Sequence, residues 1–72
     1  MTNTELLEGK IKKSGKKISY LAEKCGLSYA GFRNCITNKA EFKVSHVEIL
    51  CRELEITSLK ERQTIFFAAV GS

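Results

Sequence analysis

Three cysteines and one histidine are the side chains of this sequence best suited to metal binding or catalysis. Cys25, Cys35 and Cys51 could hold zinc together with His46, but their separations of ten and sixteen residues lack the short C-x-x-C pairs of structural zinc sites. An odd number of cysteines fits a reducing compartment better than a disulfide framework. No nucleophile or orienting carboxylate has a suggestive spacing to His46. We therefore expect buried cysteines, a solvent-exposed His46, and no enzymatic activity, metal or cofactor.

A stronger signal lies between residues 18 and 37. Ala22 is small enough to let a second helix approach closely, and Gly26 can take the left-handed conformation that ends a helix. Ser28 can cap the next helix by accepting a hydrogen bond from a free N–H group. Apolar residues on both sides can fix the crossing angle, and these are Leu21, Cys25, Phe32 and Cys35. The spacing predicts a helix-turn-helix, which points to transcriptional control.

Size and composition indicate one small helical domain. Seventy-two residues leave room for a single core. Proline is absent and glycine is sparse, so no segment resembles a linker or a low-complexity tail. No apolar run approaches the ~20 residues that span a bilayer, and no N-terminal segment resembles a secretory signal. We expect a compact all-α domain over residues 1–72, located in the cytoplasm.

Positive charge is concentrated in the middle of the chain. The net charge is +4, but residues 10–43 carry nine Lys or Arg against two Glu, whereas residues 1–9 carry two Glu and no base. A basic surface on a small domain attracts the phosphate backbone of nucleic acid, and it equally attracts an acidic protein surface. Exposed lysines can also serve solubility alone. Charge therefore indicates a macromolecular partner without deciding its class.

Local start and stop signals predict five helices. Thr2 and Glu5 can form a capping box for helix 1, which ends near Gly15. Helix 2 is predicted from about Lys17 to Cys25 and helix 3 from about Tyr29 to Thr37. The inward residues of these three helices are expected to be Leu7, Ile11, Ile18, Leu21, Ala22, Cys25, Phe32, Cys35 and Ile36.

The last two helices carry similar start signals. Ser45-x-x-Glu48 is a capping box for helix 4, around which Val44 and Ile49 can form a hydrophobic staple. The same signature recurs at Ser58 for helix 5. Helical spacing predicts inward residues at Val47, Leu50, Cys51, Leu54, Leu59, Phe66, Ala69 and Val70.

Three aromatic residues lie outside these patterns. Phe42, in the loop between helices 3 and 4, is expected to tuck against the core. Tyr20 could cover helix 1 or remain outside, and the sequence does not decide between the two. Phe67 cannot share the inward face of Phe66, so it could fold over a neighbouring helix or join an interface.

The order of these elements resembles the lambda-repressor/Cro-like family of helix-turn-helix regulators. The resemblance rests on residues 18–37, on Asn38-Lys39 after them, on the capped fourth helix, and on residues 59–68. The Ile-Phe-Phe-Ala ending of that last stretch is similar to the final helix of small regulators from phages of Gram-positive bacteria. Within that group the chain is similar to the modulator-of-repression proteins of lactococcal temperate phages. The resemblance implies a five-helix domain that acts in the bacterial host at the switch between lysogeny and lysis.

The resemblance also implies a binding surface on the exposed side of helix 3. Its residues would be Ser28, Tyr29, Ala30, Arg33, Asn34 and Thr37, with Lys39 reaching a phosphate. Arg33 could pair bidentately with guanine, and Asn34 with adenine, in a major groove. Ser28, Thr37 and Lys39 would suit contacts to the backbone of the duplex. Tyr29 and Arg33 are four residues apart and are expected on one face, opposite Phe32, Cys35 and Ile36.

The chain departs from the family pattern of a strong DNA reader. Ile18 stands where many members place a glutamine that grips the operator, and Ala30 and Gly31 offer no hydrogen-bonding side chain. Tyr29 and Ala30 add apolar area to the outward face. Such a surface suits a protein partner about as well as DNA, because Tyr and Arg are enriched at interface hot spots.

Two functions remain open from the sequence. The first is a modulator that binds the phage repressor, masking its DNA-reading helix or changing which operators it occupies. The second is an autonomous Cro-type repressor that binds operator DNA as a dimer. The departures favour the first, whereas Arg33, Asn34 and the basic residues 10–43 favour the second. We expect the repressor and operator DNA as partners, with DNA contacted directly or through the repressor, and neither a membrane nor a small-molecule ligand.

Overall fold

Five α-helices make up the part of the chain that the computed structural model describes, residues 1–67. They are α1 (Thr4–Ser14), α2 (Ile18–Lys24), α3 (Tyr29–Ile36), α4 (Val44–Glu53) and α5 (Leu59–Phe66). The described residues contain no strand. The radius of gyration is 11.1 Å, close to the ~11 Å expected of a compact chain of this length. The predicted compact all-α fold is therefore confirmed.

The α2–α3 unit has the predicted helix-turn-helix form. Gly26 follows α2 with a φ of 72°, a left-handed conformation that glycine adopts without steric cost. The Leu27 N–H then donates to the Ala22 carbonyl at 2.9 Å. Ser28 caps α3, and its Oγ accepts from the Gly31 N–H at 3.0 Å. Ala22 and Leu21 are buried and belong to the hydrophobic core.

The start of α1 differs from the prediction. Asn3 rather than Thr2 caps the helix, and its Oδ1 accepts from the Leu6 N–H at 3.1 Å. Thr2 is buried, its N–H donates to Asn38 Oδ1 at 2.9 Å, and its carbonyl accepts from Asn38 Nδ2 at 2.9 Å. The predicted capping box of Thr2 and Glu5 is wrong because Thr2 pairs with a residue 36 positions away.

The start of α4 also differs from the prediction. The helix begins at Val44, with Lys43 rather than Ser45 as its N-cap. Val44 is consequently the first residue of the helix and is 66% exposed, so its predicted staple with Ile49 is wrong. Ile49 nevertheless packs against the core.

His46 is half-buried rather than solvent-exposed as predicted. Its Nδ1 accepts a hydrogen bond from the Lys43 N–H at 3.3 Å, which satisfies one of the free donors at the helix start. Its ring lies edge-on to Phe42, with centroids 6.4 Å apart. His46 is therefore a capping residue of α4.

The core contains the predicted inward residues of α1 to α4, except that Ile18 is half-buried and packs against it. Phe32 is fully buried, and its ring meets Phe42 edge-on at 5.7 Å. Phe42 meets Phe66 in the same way at 5.8 Å, which confirms that Phe42 tucks against the core. Leu59 was predicted inward but is 69% exposed, because it opens α5 about 10 Å along the axis from Phe66. The predicted inward residues Ala69 and Val70 lie outside the described residues.

Candidate partner-binding surface on α3

The seven predicted binding residues lie on α3 and its two ends, and all are accessible. Ser28 and Thr37 are the caps of the helix, and Lys39 follows it. Arg33 is partly buried, and the other six are exposed, namely Ser28, Tyr29, Ala30, Asn34, Thr37 and Lys39. The structure therefore brings the predicted residues together on one accessible segment.

The predicted binding residues of α3 lie on two different sides of the helix. At about 100° per residue, the positions opposite the buried Phe32, Cys35 and Ile36 are those of Ala30, Asn34 and Thr37. Tyr29 and Arg33 lie instead on the flank of α3. The prediction that Tyr29 and Arg33 lie opposite the core is therefore wrong, and Arg33 is less exposed as a result.

The most outward positions offer little for reading bases. Ala30 has no polar atom in its side chain. The Thr37 hydroxyl donates to the Arg33 carbonyl at 2.9 Å, so this hydrogen bond within α3 already occupies the hydroxyl proton. The Asn34 carbonyl accepts from the Lys39 N–H at 2.8 Å, which fixes the chain where it leaves α3. Asn34 is thus the remaining outward side chain that could pair with a base edge.

Gly31, beside the predicted cap residue Ser28, has a structural role that the sequence interpretation missed. The Ser28 Oγ that would contact a phosphate already accepts the Gly31 N–H. A Cβ added to Gly31 would lie 3.1 Å from that Oγ, a separation tighter than ordinary van der Waals contact. Glycine here lets the cap approach closely, which accounts for the lack of a hydrogen-bonding side chain at that position.

Arg33 forms an ion pair with α1 that the sequence interpretation also missed. Its Nη1 lies 3.5 Å from Glu8 Oε2, and the two side chains are 39% and 46% exposed. Glu8 belongs to the acidic residues 1–9. The acidic character of that segment is the feature of the sequence that could have indicated such an ion pair. The guanidinium proposed to read guanine is thus already close to a carboxylate.

The ion pair lies where α1 runs antiparallel to α3. The Thr4 hydroxyl donates to the Ile36 carbonyl at 2.6 Å, one turn before Glu8 meets Arg33. Thr4, Glu8 and Lys12 are spaced four residues apart, so they form a row along one side of α1. Thr4 and Glu8 of this row contact α3 at Ile36 and Arg33. The candidate surface therefore extends from α3 onto α1.

Tyr20, which the sequence left undecided, is anchored to α4. Its hydroxyl donates to Glu53 Oε1 at 3.1 Å, and Lys16 Nζ donates to the same oxygen at 3.0 Å. The Lys16 hydrogen bond, helped by the one from Tyr20, holds the pKa of the Glu53 carboxyl below its ordinary value. Tyr20 and Lys16 thus have structural partners outside the α3 surface.

Acidic residues elsewhere in the chain pair with several of the bases in residues 10–43. Lys10 Nζ lies 2.7 Å from Glu61 Oε2, and Lys16 is bound to Glu53. With the Arg33–Glu8 pair, three of the nine bases have an acidic partner. Lys12, Lys17, Lys24 and Lys39 are exposed. The positive field is therefore weaker than the sequence alone indicates.

The three cysteines are free and buried, as predicted. Burial, reinforced by the neighbouring Cys35 and by Glu53, raises the pKa of the Cys25 thiol to about 11 from its ordinary value of 9.0. Burial also raises the pKa of Cys35 and of Cys51. No group of three or more His, Cys, Asp or Glu within residues 1–67 could hold a metal ion. The thiols are therefore poor nucleophiles in the folded state.

We expect the native protein to react slowly with a thiol reagent at pH 8 and quickly after denaturation, because the thiolate is the reactive form. The raised pKa of Cys25 also makes stability pH-dependent, since the folded state holds its proton more firmly. This contribution is fully present below pH 9.0 and is lost as the pH rises toward about 11. Reagent time courses and melting curves from pH 7 to 11 measure both effects.

Cys25→Ala is the control for the pH effect, since it should reduce the alkaline loss of stability. A chelator should leave the helical circular-dichroism signal and the melting temperature unchanged. Equal reaction rates in the native and denatured protein would contradict the buried positions of the thiols.

None of the helices between residues 1 and 67 combines the length and the apolar character that crossing a bilayer requires. In comparisons with protein-family models, curated proteins and solved structures, nothing matches this chain.

Proposed function

We propose that this chain is a temperate-phage regulator of the switch between lysogeny and lysis. It acts in the cytoplasm of the bacterial host by binding the phage repressor and altering how that repressor occupies its operators. The role requires no catalysis and no cofactor. The resemblance to the modulator-of-repression proteins led to this proposal, and the observation that supports it is the mixed chemistry of the α3 surface.

An exposed tyrosine beside an ion pair is more typical of a protein interface than of a base-reading helix. Tyr29 is 57% exposed and lies one turn from Arg33 on the same flank. Tyrosine supplies a large, rigid contact area, and both Tyr and Arg are enriched where partners meet. This flank therefore offers a protein partner an apolar centre bordered by charge.

The positions that a DNA reader needs are poorly equipped. The Arg33 guanidinium already forms an ion pair with Glu8, and Ala30 has no polar side-chain atom. Ile18 lies at the start of α2, where the family's operator-gripping glutamine would stand, and it packs against the core. These features leave Asn34 to discriminate between bases, and a single bidentate pair contributes only about 1–3 kcal/mol of discrimination.

Exposed lysines still give the protein an affinity for phosphate. Lys12, Lys17, Lys24 and Lys39 are exposed, and such charges bind a duplex without regard to its sequence. In a complex with the repressor, they would add contacts to the DNA backbone. This affinity should be weak and should fall steeply with salt.

The test is a titration of an operator fragment with the protein alone and then with its cognate repressor. Alone, the protein should bind the operator and a random duplex of equal length similarly, and only at low salt. Together with the repressor, it should change the amount or the pattern of operator occupancy. These outcomes follow if phosphate attraction without base readout is all that the isolated chain offers.

The opposite result would support the Cro-type alternative. Dedicated readers bind their operators ~10³–10⁷ times more tightly than random DNA. A preference in that range for the isolated protein at physiological salt would overturn the proposal, as would a repressor whose operator binding this protein leaves unchanged.

A further inference from the structure

Glu8 is an acidic residue of α1 that contacts the candidate surface at Arg33. Its carboxylate oxygen is 3.5 Å from Arg33 Nη1, and its side chain is 46% exposed. Both charges are accessible, and the contact joins one oxygen to one nitrogen. Each group therefore retains hydrogen-bonding capacity for a third charged group, because a carboxylate accepts at two oxygens and a guanidinium has five donors.

The position of Glu8 is fixed by backbone contacts on the same side of the molecule. Thr4 binds the last carbonyl of α3 at Ile36, and Thr2 binds Asn38 through two hydrogen bonds of 2.9 Å each. These contacts set the register of α1 against α3. The part of α1 that carries Glu8 is thus held beside α3.

A carboxylate at this position has opposite effects on two kinds of partner. A duplex phosphate that approached Arg33 would meet Glu8 well within the screening length of about 8 Å at physiological salt, where like charges repel. A lysine or arginine of a protein would find in Glu8 an acceptor for a charge-assisted hydrogen bond. Such electrostatic complementarity selects partners more than it adds raw affinity.

We propose that Glu8 is a specificity-determining residue that makes this face accept a basic protein surface in preference to duplex DNA. The proposal rests on the proposed function. A repressor carries Lys and Arg on the surface that binds phosphates, and this chain has a net charge of +4. Two basic surfaces repel unless an acidic group lies at their contact. Glu8 supplies that group.

The experiment compares Glu8→Gln with Glu48→Gln. Both remove one negative charge from an exposed residue of a helix, but Glu48 lies on α4, which packs on α2 and not extensively on α3. Affinity for the full-length repressor is measured by isothermal titration, and affinity for a random duplex is measured at low salt. Melting curves establish that both variants are folded, as expected because exposed ion pairs contribute little to stability.

Glu8→Gln should weaken repressor binding at least about tenfold, since it removes one partner of an interfacial charge pair. The same variant should bind the random duplex about two- to fivefold more tightly, the effect of one exposed charge. Glu48→Gln should bind the repressor as the wild type does and should gain less than Glu8→Gln for the duplex. Glu8→Asp, which retains the charge, should keep the wild-type preference.

If Glu8 selects the partner, Glu8→Gln must both lose affinity for the repressor and gain affinity for the duplex. A wild-type protein that binds the repressor, with Glu8→Gln and Glu48→Gln indistinguishable, would overturn this inference and leave the proposed function standing. Loss of repressor affinity without a gain for the duplex would also overturn it. A wild-type protein that fails to bind the repressor at all would instead overturn the proposed function itself.

Discussion

Replacing Phe32 by alanine is expected to lower the free energy of unfolding by about 3–5 kcal/mol, the cost of emptying a buried aromatic site. Phe32 is fully buried and contacts Phe42 edge-on, so its loss removes one ring of the aromatic cluster around Phe42. Small domains have only about 5–15 kcal/mol in total, so this change removes a large share of the stability and should lower the melting temperature markedly. Urea titration followed by circular dichroism measures the change.

Phe67→Ala is the matched control for Phe32→Ala. It makes the same chemical change at a side chain that is 48% exposed, where substitutions usually alter stability by less than about 0.5 kcal/mol. If Phe32→Ala kept wild-type stability, the assignment of α3 to the core by its Phe32 face would be wrong.

Replacing Tyr29 by alanine is expected to weaken repressor binding by about 1–4 kcal/mol, the range for central contacts of an interface. The same result is expected for Arg33→Ala. Tyr29 is 57% exposed and Arg33 forms only an exposed ion pair, so both variants should keep their stability within about 1 kcal/mol. A repressor-binding isotherm and a melting curve for each variant provide the measurements.

Leu59→Ala supplies the control for this experiment. Leu59 is another exposed apolar residue, 69% accessible, but it lies on α5 away from the candidate surface, so its loss should leave repressor binding unchanged. If Tyr29→Ala and Arg33→Ala both folded normally and bound the repressor as the wild type does, the working surface would not be α3. Phe67, at the end of α5, would then be the next residue to examine.

The sequence predicted the helices because their signals are local. Gly26 and Ser28 act within a few residues of their own positions, and the turn between α2 and α3 follows from them directly. The apolar spacing around Phe32 likewise needs no knowledge of distant parts of the chain. Local hydrogen bonding and helical periodicity therefore determined most of the fold that could be predicted.

The errors arose where a distant or competing partner decided the outcome. Thr2 has the chemistry of a cap, yet the amide of Asn38 holds it elsewhere. Ser45 could also cap a helix, but the N-cap of α4 is Lys43, two residues before Ser45. There the Lys43 N–H donates to the ring nitrogen of His46. A capping pattern shows which residues can form a hydrogen bond at a helix end. It does not show whether those residues form hydrogen bonds elsewhere instead.

The sequence predicted which segment forms the candidate site, but not which residues of other helices contribute to its surface. Seven residues of one stretch were correctly expected to be accessible, because they lie on or beside one short helix. The pairing of Arg33 with Glu8 depends on how α1 lies against α3, and no pattern within either helix reports that. The chemistry of the surface changes from basic to mixed at this one contact.

The contacts of the first residues have a consequence for the order of folding. Thr2 joins the end of α3 through Asn38, and the Asn3 N–H donates to the Ile65 carbonyl at 2.6 Å, near the other end of the described chain. The entropy lost in closing a loop grows with its length, so we expect α1 to dock on α3 before Asn3 reaches α5. The helix-turn-helix can therefore assemble first as a local nucleus. We then expect the contact between Asn3 and Ile65 to close the molecule after the surface bearing Glu8 and Arg33 has formed.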